Sequence, residues 1–426
     1  MRILLLGAGG REHALAWKLT QSPSCSQLFI APGNAGTALC GTNISISLND
    51  FEKIKAACIS ENINMVIVGP EDPLVNGIVN YLQQEPALEE LHIIGPSREA
   101  AMLEGSKAFA KVFMQKNNIP TAAYKEFTID NYADGVRYLQ QHSLPVVLKA
   151  DGLASGKGVV ICQNHLEAVA EFELMIQRAK FGEAGKRVVV EAFLDGIELS
   201  VFVLTDGNGY VILPEAKDYK KVGEGDTGLN TGGMGAVSPV SFADKSFMQK
   251  VEQQIIKPTI QGLKDDNLKY HGFVFIGLMK VGDDPFVIEY NCRMGDPETE
   301  VVMPRLKNDL ALLMKATAEG KLHTVQIETD KRFACTIMAV SGGYPNEHAT
   351  GFEITGLEDL YDDHSLVFYA AVKKENDQLY TNGGRIFCIT SFGETVAEAS
   401  GRSKEKLAGV HFNGMYYRGD IGFEFT

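Results

Sequence analysis

The chain has 426 residues, with 40 lysines and arginines against 54 aspartates and glutamates, which gives a formal net charge of −14. This length is enough for roughly two to four packed units. The acidic balance argues against a nucleic-acid-binding surface, which would need a basic stripe, but local basic clusters could still bind small anions. The seven cysteines form no Cys-x-x-Cys pair, which argues against a zinc site and favours a reducing, cytoplasmic location. The sequence contains no apolar run of about 18 residues, so no membrane span is predicted.

The N-terminal segment predicts a strand, a glycine turn and a helix. Residues 2–6 are apolar, the turn begins at Gly7, and a helical pattern follows through Leu19. The amides at the start of such a helix can bind an anion. A Rossmann-like fold is therefore expected. Nicotinamide binding, the alternative from another class, is disfavoured because Glu12 stands where a third glycine is needed and the second strand ends without an acid.

Two further strands, Met65–Val68 and His92–Ile94, each lead into a glycine-proline loop. Ligands of open α/β sheets bind beyond the carboxyl ends of the strands, so residues on the loops of this sheet are candidate substrate contacts. The alternative is that these residues only serve turn geometry. The candidates are Gly9, Gly10, Asn34 and Glu71.

The pattern becomes helical from about residue 98, includes Lys107, and ends at Ile119-Pro120. A strand at 145–150 then carries Lys149 and leads into a glycine-rich loop. Another strand follows this loop, so it resembles a kinase-type flap over phosphates more closely than a Walker loop. A plain glycine hairpin is the alternative. The candidate phosphate contacts on this loop are Gly152, Ser155, Gly156, Lys157 and Gly158.

A strand over 188–194 and the segment after it predict an adenosine slot. The candidate residues are Glu191, Phe193, Leu194 and Glu198, although each glutamate could instead be a solvated charge at a strand end. The segment 215–239 is the longest stretch without periodicity, and a loop of this length is usually functional or disordered. Its candidate substrate contacts are Asp218 and Lys220.

The stretch from Val287 to Glu300 predicts a strand followed by a tight turn. Alternation along a strand puts Glu289, Asn291 and Arg293 on one face and leaves Ile288 on the other face to pack. Carboxylate and amide oxygens suit Mg²⁺, and a guanidinium suits a phosphoryl group. The alternative is a polar edge strand.

The pattern of the last unit, from about residue 328, predicts a β-rich domain.

Together these motifs resemble the ATP-grasp ligases and, within them, the phosphoribosylamine–glycine ligase family (glycinamide ribonucleotide synthetases) of purine synthesis. The motifs that carry this resemblance are Gly9–Ala14, Pro32–Thr37, Val68–Glu71, Asp151–Gly158, Asp226–Gly235, Asn291–Glu300 and Thr381–Arg385. The resemblance implies an α/β and α+β multidomain protein. Its expected domains are a Rossmann-like domain (1–104), an ATP-grasp domain (105–325) with an inserted lid subdomain (about 122–192), and a C-terminal β-rich domain (326–426).

The resemblance also implies the reaction and the roles of the candidates. Glycine would be phosphorylated by ATP to glycyl phosphate and then attacked by 5-phosphoribosylamine, an early step of purine synthesis. Lys107 and Lys149 would hold the ATP phosphates, and Arg293 would stabilise the transferred group. Glu289 and Asn291 would bind Mg²⁺ or Mn²⁺, and Asp296 joins the candidate substrate contacts. The implied partners are these small molecules and, transiently, another enzyme of the pathway, but no nucleic acid or membrane.

Some positions depart from the family pattern. The strand before Glu289, which begins near Phe273, carries no acid, so the number of metal ions stays open. Tyr219, Lys221 and Met294 also differ from common family residues, and Lys221 lacks the bidentate fork of an arginine. Another ATP-grasp enzyme, such as a carboxylase, is the nearest alternative, and the turn at 295–298 argues against it. A non-catalytic nucleotide-binding module is the remaining one.

Overall fold

The computed structural model describes residues 1–153, 158–178, 185–357, 360 and 362–425. The strands are β1 (Arg2–Gly7), β2 (Gln27–Pro32), β3 (Thr42–Asn43), β4 (Met65–Val68), β5 (His92–Pro96), β6 (Tyr124–Thr128), β7 (Val146–Ala150), β8 (Val159–Cys162), β9 (Arg187–Ala192), β10 (Ile197–Thr205), β11 (Tyr210–Ile212), β12 (Lys217–Asp218), β13 (Lys221–Gly223), β14 (Thr227–Asn230), β15 (Gly235–Ser238), β16 (Tyr270–Val281), β17 (Asp284–Asn291), β18 (Phe333–Val340), β19 (Glu353–Ile354), β20 (Ser365–Tyr369), β21 (Val372–Glu375), β22 (Gln378–Thr381) and β23 (Arg385–Gly393).

The α-helices are α1 (Gly10–Thr20), α2 (Phe51–Ser60), α3 (Glu71–Val75), α4 (Ile78–Gln83), α5 (Arg98–Gly105), α6 (Lys107–Lys116), α7 (Tyr132–Gln141), α8 (His165–Ile176), α9 (Lys245–Val251), α10 (Lys257–Asp265), α11 (Thr299–Arg305), α12 (Leu310–Ala318) and α13 (Val396–Leu407). Among the helices that the structure describes, none is both long enough and apolar enough to cross a bilayer.

The largest sheet joins a parallel half to an antiparallel half. Its described strands run in the order β11-β10-β16-β5-β4-β1-β2-β3, with β17 paired to β16. Strands β1 to β5 are parallel, and their apolar runs are fully buried, as expected when helices cover both faces. This half confirms the predicted Rossmann-like layer. The antiparallel strands β10, β16 and β17 extend the sheet at the β5 edge, where Tyr270 pairs with Pro96.

A second, small sheet has the strand order β6-β9-β7-β8 and is antiparallel throughout. Helices α7 and α8 pack on it around a separate apolar core that includes Phe127 and Phe172. The edge-to-face contact of these two rings, 5.8 Å between centroids, fixes one helix against the sheet. The sheet lies within the range 122–192, where an inserted lid subdomain is expected.

The C-terminal part is a third sheet of order β12-β15-β18-β23-β20, with helix α13 packed on β18 and β23. It corrects one expectation. Residues 215–239 are not a continuous loop, because they form β12 and β15 of this sheet and the hairpin of β13 and β14. Such short strands carry no detectable periodicity, and β15 pairs with β18 about a hundred residues further along the chain.

Candidate active site

A cavity of about 1020 Å³ lies where the three sheets meet. Its walls come from β17 of the large sheet, β7 to β9 of the small sheet, helix α6 and the segment around β12. The predicted site residues that line it are Glu71, Lys107, Lys149, Gly158, Glu191, Glu198, Asp218, Lys220, Glu289, Asn291, Arg293 and Asp296. Twelve candidates chosen for separate reasons along the sequence thus face one space.

The end of β17 presents Glu289 and Asn291, both half-buried, to this cavity. The pairing with β16 shifts register at this point, since Gly277 is opposite Glu289 while Leu278 is opposite Val287. Ile288 is therefore the extra residue of a bulge. It lines the cavity instead of packing, so the prediction for Ile288 was wrong, because strict alternation cannot anticipate a bulge.

The donor set suits a hard divalent cation. Glu289 and Asn291 supply a carboxylate and an amide oxygen from alternate positions of one strand. Within the described residues no group of three histidine, cysteine, aspartate or glutamate side chains could enclose a metal. Mg²⁺ is commonly bound by one or two carboxylates together with substrate phosphates and water. The residues present therefore fit a cation that is shared with a phosphate-bearing ligand.

Two predicted lysines approach the cavity from different elements. Lys107 is the first residue of α6, and its Nζ donates to the carbonyl of Gly152 at 2.8 Å. Burial lowers the pKa of Lys107, and the nearby Glu289 carboxylate opposes this shift. Lys149 Nζ donates to the carbonyl of the bulged Ile288 at 3.0 Å. Both ammonium groups are thus tethered at the site where phosphate oxygens would need cations.

Lys111 is a buried cation that the sequence analysis missed. Its Nζ lies 3.0 Å from Glu191 Oε2 and 2.7 Å from Thr121 Oγ1. Glu191 Oε1 lies 3.0 Å from Lys149 Nζ, so one carboxylate bridges two lysines. Burial lowers the pKa of Lys111 to about 8 although Glu191 opposes it. The available signal was its position four residues after Lys107, on the same face of α6.

The region predicted for adenosine is only partly assembled around the cavity. Glu198 accepts a hydrogen bond from Lys220 Nζ at 2.8 Å. Burial alone would lower the pKa of Lys220, but Asp218, Glu198 and Glu289 raise it well above its usual value.

Some residues predicted to contact ATP do not line the cavity. Strand β9 ends at Ala192, two residues before the predicted end, and Phe193 and Leu194 do not line the cavity. Gly152 does not line it either, and Ser155, Gly156 and Lys157 lie outside the described residues.

Arg293 follows β17 and is held by two carboxylates. Its Nε donates to Glu71 Oε2 at 3.0 Å, and its Nη2 lies 2.8 Å from Glu104 Oε1. Burial lowers the pKa of Arg293, and these carboxylates reverse the effect and raise it. Burial likewise raises the pKa of Glu71, but Arg293 and Arg11 outweigh it and bring the value to about 2. Glu71 is therefore an ionised partner of this guanidinium. Burial raises the pKa of Glu104, the second partner, and Arg293 opposes that shift.

The N-terminal candidates divide into two groups. Gly9 and Asp296 line an adjoining cavity of about 260 Å³ together with Arg385, which lies 2.9 Å from the Asp296 carboxylate. Gly10 and Asn34 line neither cavity.

Gly10 packs against the buried Glu300, and a Cβ there would come within 2.4 Å of Glu300 Oε1. Asn34 Nδ2 donates to the carbonyls of Ala8 and Tyr369, both at 2.8 Å, while its Oδ1 accepts from the amide of Thr37. The geometry gives Gly10 and Asn34 roles in building the wall behind the two cavities.

Glu298 is a further cavity residue, which the sequence motif contained without a clear role. Its carboxyl is buried and accepts a hydrogen bond from Ser200 Oγ at 3.2 Å. Burial and the nearby Asp218 carboxylate raise the pKa of Glu298 to about 7. This carboxyl can therefore exchange a proton near neutral pH.

An antiparallel lysine-bearing sheet that faces a strand ending in two oxygen donors, across a nucleotide-sized space, is the architecture of an ATP-grasp enzyme. Family models give the same class and a narrower group. Those of phosphoribosylglycinamide synthetase match residues 1–104 (N domain), 105–299 (ATP-grasp domain) and 334–424 (C domain). The chain therefore belongs to the phosphoribosylglycinamide synthetase family, whose members are ligases.

Similar proteins extend over the full length. The chain is 43% identical to a phosphoribosylamine–glycine ligase of Vibrio cholerae and 44% identical to one of Escherichia coli O157:H7, each covering 99% of this chain and 98% of the relative. The crystal structure of a phosphoribosylamine–glycine ligase from Thermotoga maritima matches with a TM-score of 0.82 and 33% identity, covering 99% of this chain and all of that one.

A biotin carboxylase domain from Hydrogenobacter thermophilus also matches, with a TM-score of 0.73. The match covers 97% of this chain and 91% of that one. At 17% identity it shows a common fold and nothing finer.

Proposed function

We propose that the chain joins glycine to 5-phosphoribosylamine at the expense of ATP, giving glycinamide ribonucleotide, ADP and phosphate. The observation that carries this proposal is the shared cavity. Its ATP-grasp residues face the same space as Glu71 from the N-terminal layer, Asp296 from the turn and Arg385 from the C-terminal sheet. A volume near 1020 Å³ is at the upper end of the range for small-molecule sites, about 300–1,000 Å³, and leaves room for a nucleotide and a second substrate.

The first half-reaction transfers the γ-phosphoryl group to the glycine carboxylate. A free carboxylate does not react with an amine, so an acyl phosphate, glycyl phosphate, is the activated species. Such transfer depends on positioning and on neutralising oxygen charge. Lys107 and Lys149 hold the phosphate chain, and Arg293 faces the transferred group. Glu289 and Asn291 would hold a divalent cation, which supplies further neutralisation of the phosphate oxygens.

The second half-reaction forms the amide. The amine nitrogen of phosphoribosylamine attacks the carbonyl carbon of glycyl phosphate, the carbon–oxygen bond to phosphate breaks, and the nitrogen loses a proton. Water must be kept from the acyl phosphate. The 151–158 flap, whose residues 154–157 lie outside the described part of the chain, would serve this purpose. Glu198 takes the ribose hydroxyls of ATP, and the adenine lies near the end of β9 at Glu191, which lines the cavity.

The cation is Mg²⁺ or Mn²⁺, and the enzyme works in the cytoplasm on small molecules, without nucleic acid or membrane. Asp218, Lys220 and Asp296 contact the second substrates. The domain boundaries lie near residues 104 and 325.

The test measures ADP and phosphate release by the purified chain with ATP and Mg²⁺, leaving out one substrate at a time. We expect full turnover only with glycine and phosphoribosylamine together, and glycinamide ribonucleotide as the product. Replacing glycine by bicarbonate, the expected substrate of a carboxylase, should stop turnover. Equal turnover with bicarbonate would overturn the assignment. Hydroxylamine added to enzyme, ATP and glycine should trap glycine hydroxamate, and its absence would count against glycyl phosphate.

A further inference from the structure

Glu104 is a buried carboxylate on the cavity wall to which neither the motifs nor the proposed function gives a role. It is the last residue but one of α5, and its side chain is 6% exposed. Both of its oxygens are engaged by the segment that follows β17. Oε2 accepts from the backbone amide of Cys292 at 2.8 Å and from its Sγ at 3.1 Å. Oε1 lies 2.8 Å from Arg293 Nη2.

The element that carries Glu104 is itself rigidly placed. Helix α5 is capped by Ser97, whose Oγ accepts from the Ala100 amide, and it packs against α3 and β17. After Ser106, α6 begins at once with Lys107. One short segment therefore both supplies Lys107 to the cavity and holds Arg293, which lines the same cavity, through Glu104. The hydrogen bond from the Cys292 amide and the ion pair with Arg293 together restrict the start of the turn.

Without the contact to Glu104, the Arg293 side chain could adopt other conformations. The side chain has several rotatable bonds, and its remaining anchors are Glu71 at Nε and the Met294 carbonyl at Nη1. With Glu104 in place, the guanidinium plane is defined by carboxylates on two different edges. A planar fork held in this way is preorganised, so little entropy is lost when it meets a phosphoryl group.

We propose that Glu104 is a positioning residue for phosphoryl transfer. It acts through Arg293 and the Cys292 peptide and keeps Arg293 in register with Lys107 and with the neighbouring Asn291. This inference rests on the proposed function, because it assigns Arg293 to the transferred group. A merely structural Glu104 would affect stability, whereas a positioning Glu104 must affect the chemical step through Arg293.

The variant Glu104→Gln separates these roles. The glutamine Oε1 can still accept from the Cys292 amide, but its Nε2 donor would face the Arg293 donor. We expect kcat to fall about 100-fold, the loss typical of a small misplacement of a catalytic group. The equilibrium Kd for ATP should change less than about threefold, and far-ultraviolet circular dichroism should stay native. Unchanged kcat would overturn the inference.

Glu252→Gln is the matched control. Glu252 accepts a hydrogen bond from Tyr210 Oη at 2.7 Å and does not line the cavity. It therefore also loses one charge and keeps one acceptor, and we expect kcat close to that of the wild type. A comparable loss of kcat in this control would attribute the Glu104→Gln effect to general destabilisation and overturn the inference.

A double-mutant cycle tests the path through Arg293. In an Arg293→Met background, Glu104→Gln should change kcat less than about threefold, because the residue through which it acts is absent. A full 100-fold further loss would overturn the inference. The wild-type assay keeps the two proposals apart. If wild type shows no glycine-dependent ADP formation, the proposed function itself fails. If wild type is active but the effects of the two mutations are independent, only the proposed role of Glu104 is refuted.

Discussion

Acidification should destabilise the protein through His13, which joins α1 to the C-terminal sheet. The ring is 2% exposed, and its Nδ1 accepts a hydrogen bond from the Tyr369 amide at 2.8 Å. It also contacts the rings of Phe368 and Tyr369 edge to face, each at 5.6 Å between centroids. Protonation would bury a charge and turn the acceptor Nδ1 into a donor facing another donor. Burial accordingly lowers the pKa of His13 to about 3.

The size of the effect follows from the difference in pKa between the folded and unfolded states. An unfolded histidine has a pKa near 6.5, so below that pH the unfolded chain binds a proton that the folded chain does not. Stability is therefore complete above pH 6.5 and is lost as the pH falls toward 3. Each pH unit in this window costs about 1.4 kcal/mol, so at pH 5 the loss from His13 is about 2 kcal/mol.

Urea unfolding at pH 8, 6.5 and 5 checks this expectation in wild type and in His13→Gln. Glutamine can still accept from the Tyr369 amide but does not titrate. The free-energy difference between wild type and variant should therefore shrink by about 2 kcal/mol from pH 8 to pH 5. His364→Gln, at an exposed position of the same C-terminal part, should keep the wild-type slope. Parallel profiles for wild type and His13→Gln would refute the reasoning.

Three further substitutions, with one control variant, test the site and its walls. Glu289→Gln should lose at least about 100-fold in divalent-dependent turnover with a native circular dichroism spectrum, because the carboxylate donor is gone; near-normal turnover would remove it from the metal site. Lys149→Ala should raise the calorimetric Kd for ATP about tenfold or more, as expected for a lost charge-assisted contact to phosphate, and unchanged affinity would contradict its role. Gly10→Ala should cost about 1–3 kcal/mol of unfolding free energy, because the new Cβ would meet the buried Glu300 carboxyl. In Gly401→Ala, within α13, nothing lies within 4 Å of the new Cβ, so about 0.5–1 kcal/mol should be gained, and similar effects at both glycines would refute the steric argument.

Local patterns were sufficient for the longer apolar strands, though not for the short strands within 215–239, and for two of the three residues grouped on β17. The apolar run at 2–6 and the turn at Gly7 predicted β1 and the start of α1, and both are present. Two-residue alternation placed Glu289 and Asn291 on a common, accessible face, because their strand is regular from the bulge onward. The bulge itself, at Ile288, depends on pairing with β16 and leaves no mark in the local pattern.

Contacts between distant segments could not be predicted in the same way. Arg293 meets Glu71, 222 residues earlier, and Cys292 meets Glu104, 188 residues earlier. Each carboxylate lies near an ordinary helix end, where a charged residue is common. The sequence therefore indicated the residue types for binding phosphate and metal. The ion pairs that orient Arg293 arise only from the packing of α3 on α5 and of α5 on β17.

The turn after β17 is held largely by its backbone, and this bears on what its side chains can do. The carbonyl of Met294 accepts from Nη1 of Arg11 and of Arg293, both at 3.2 Å, and the carbonyl of Asp296 accepts from Arg385 Nη1 at 2.8 Å. Main-chain acceptors thus connect the turn to α1 and to the C-terminal sheet. The Glu298 carboxyl faces the cavity and accepts a hydrogen bond from Ser200 Oγ at 3.2 Å. Burial and the nearby Asp218 carboxylate raise the pKa of Glu298 to about 7, and shifts of this kind are concentrated at functional sites.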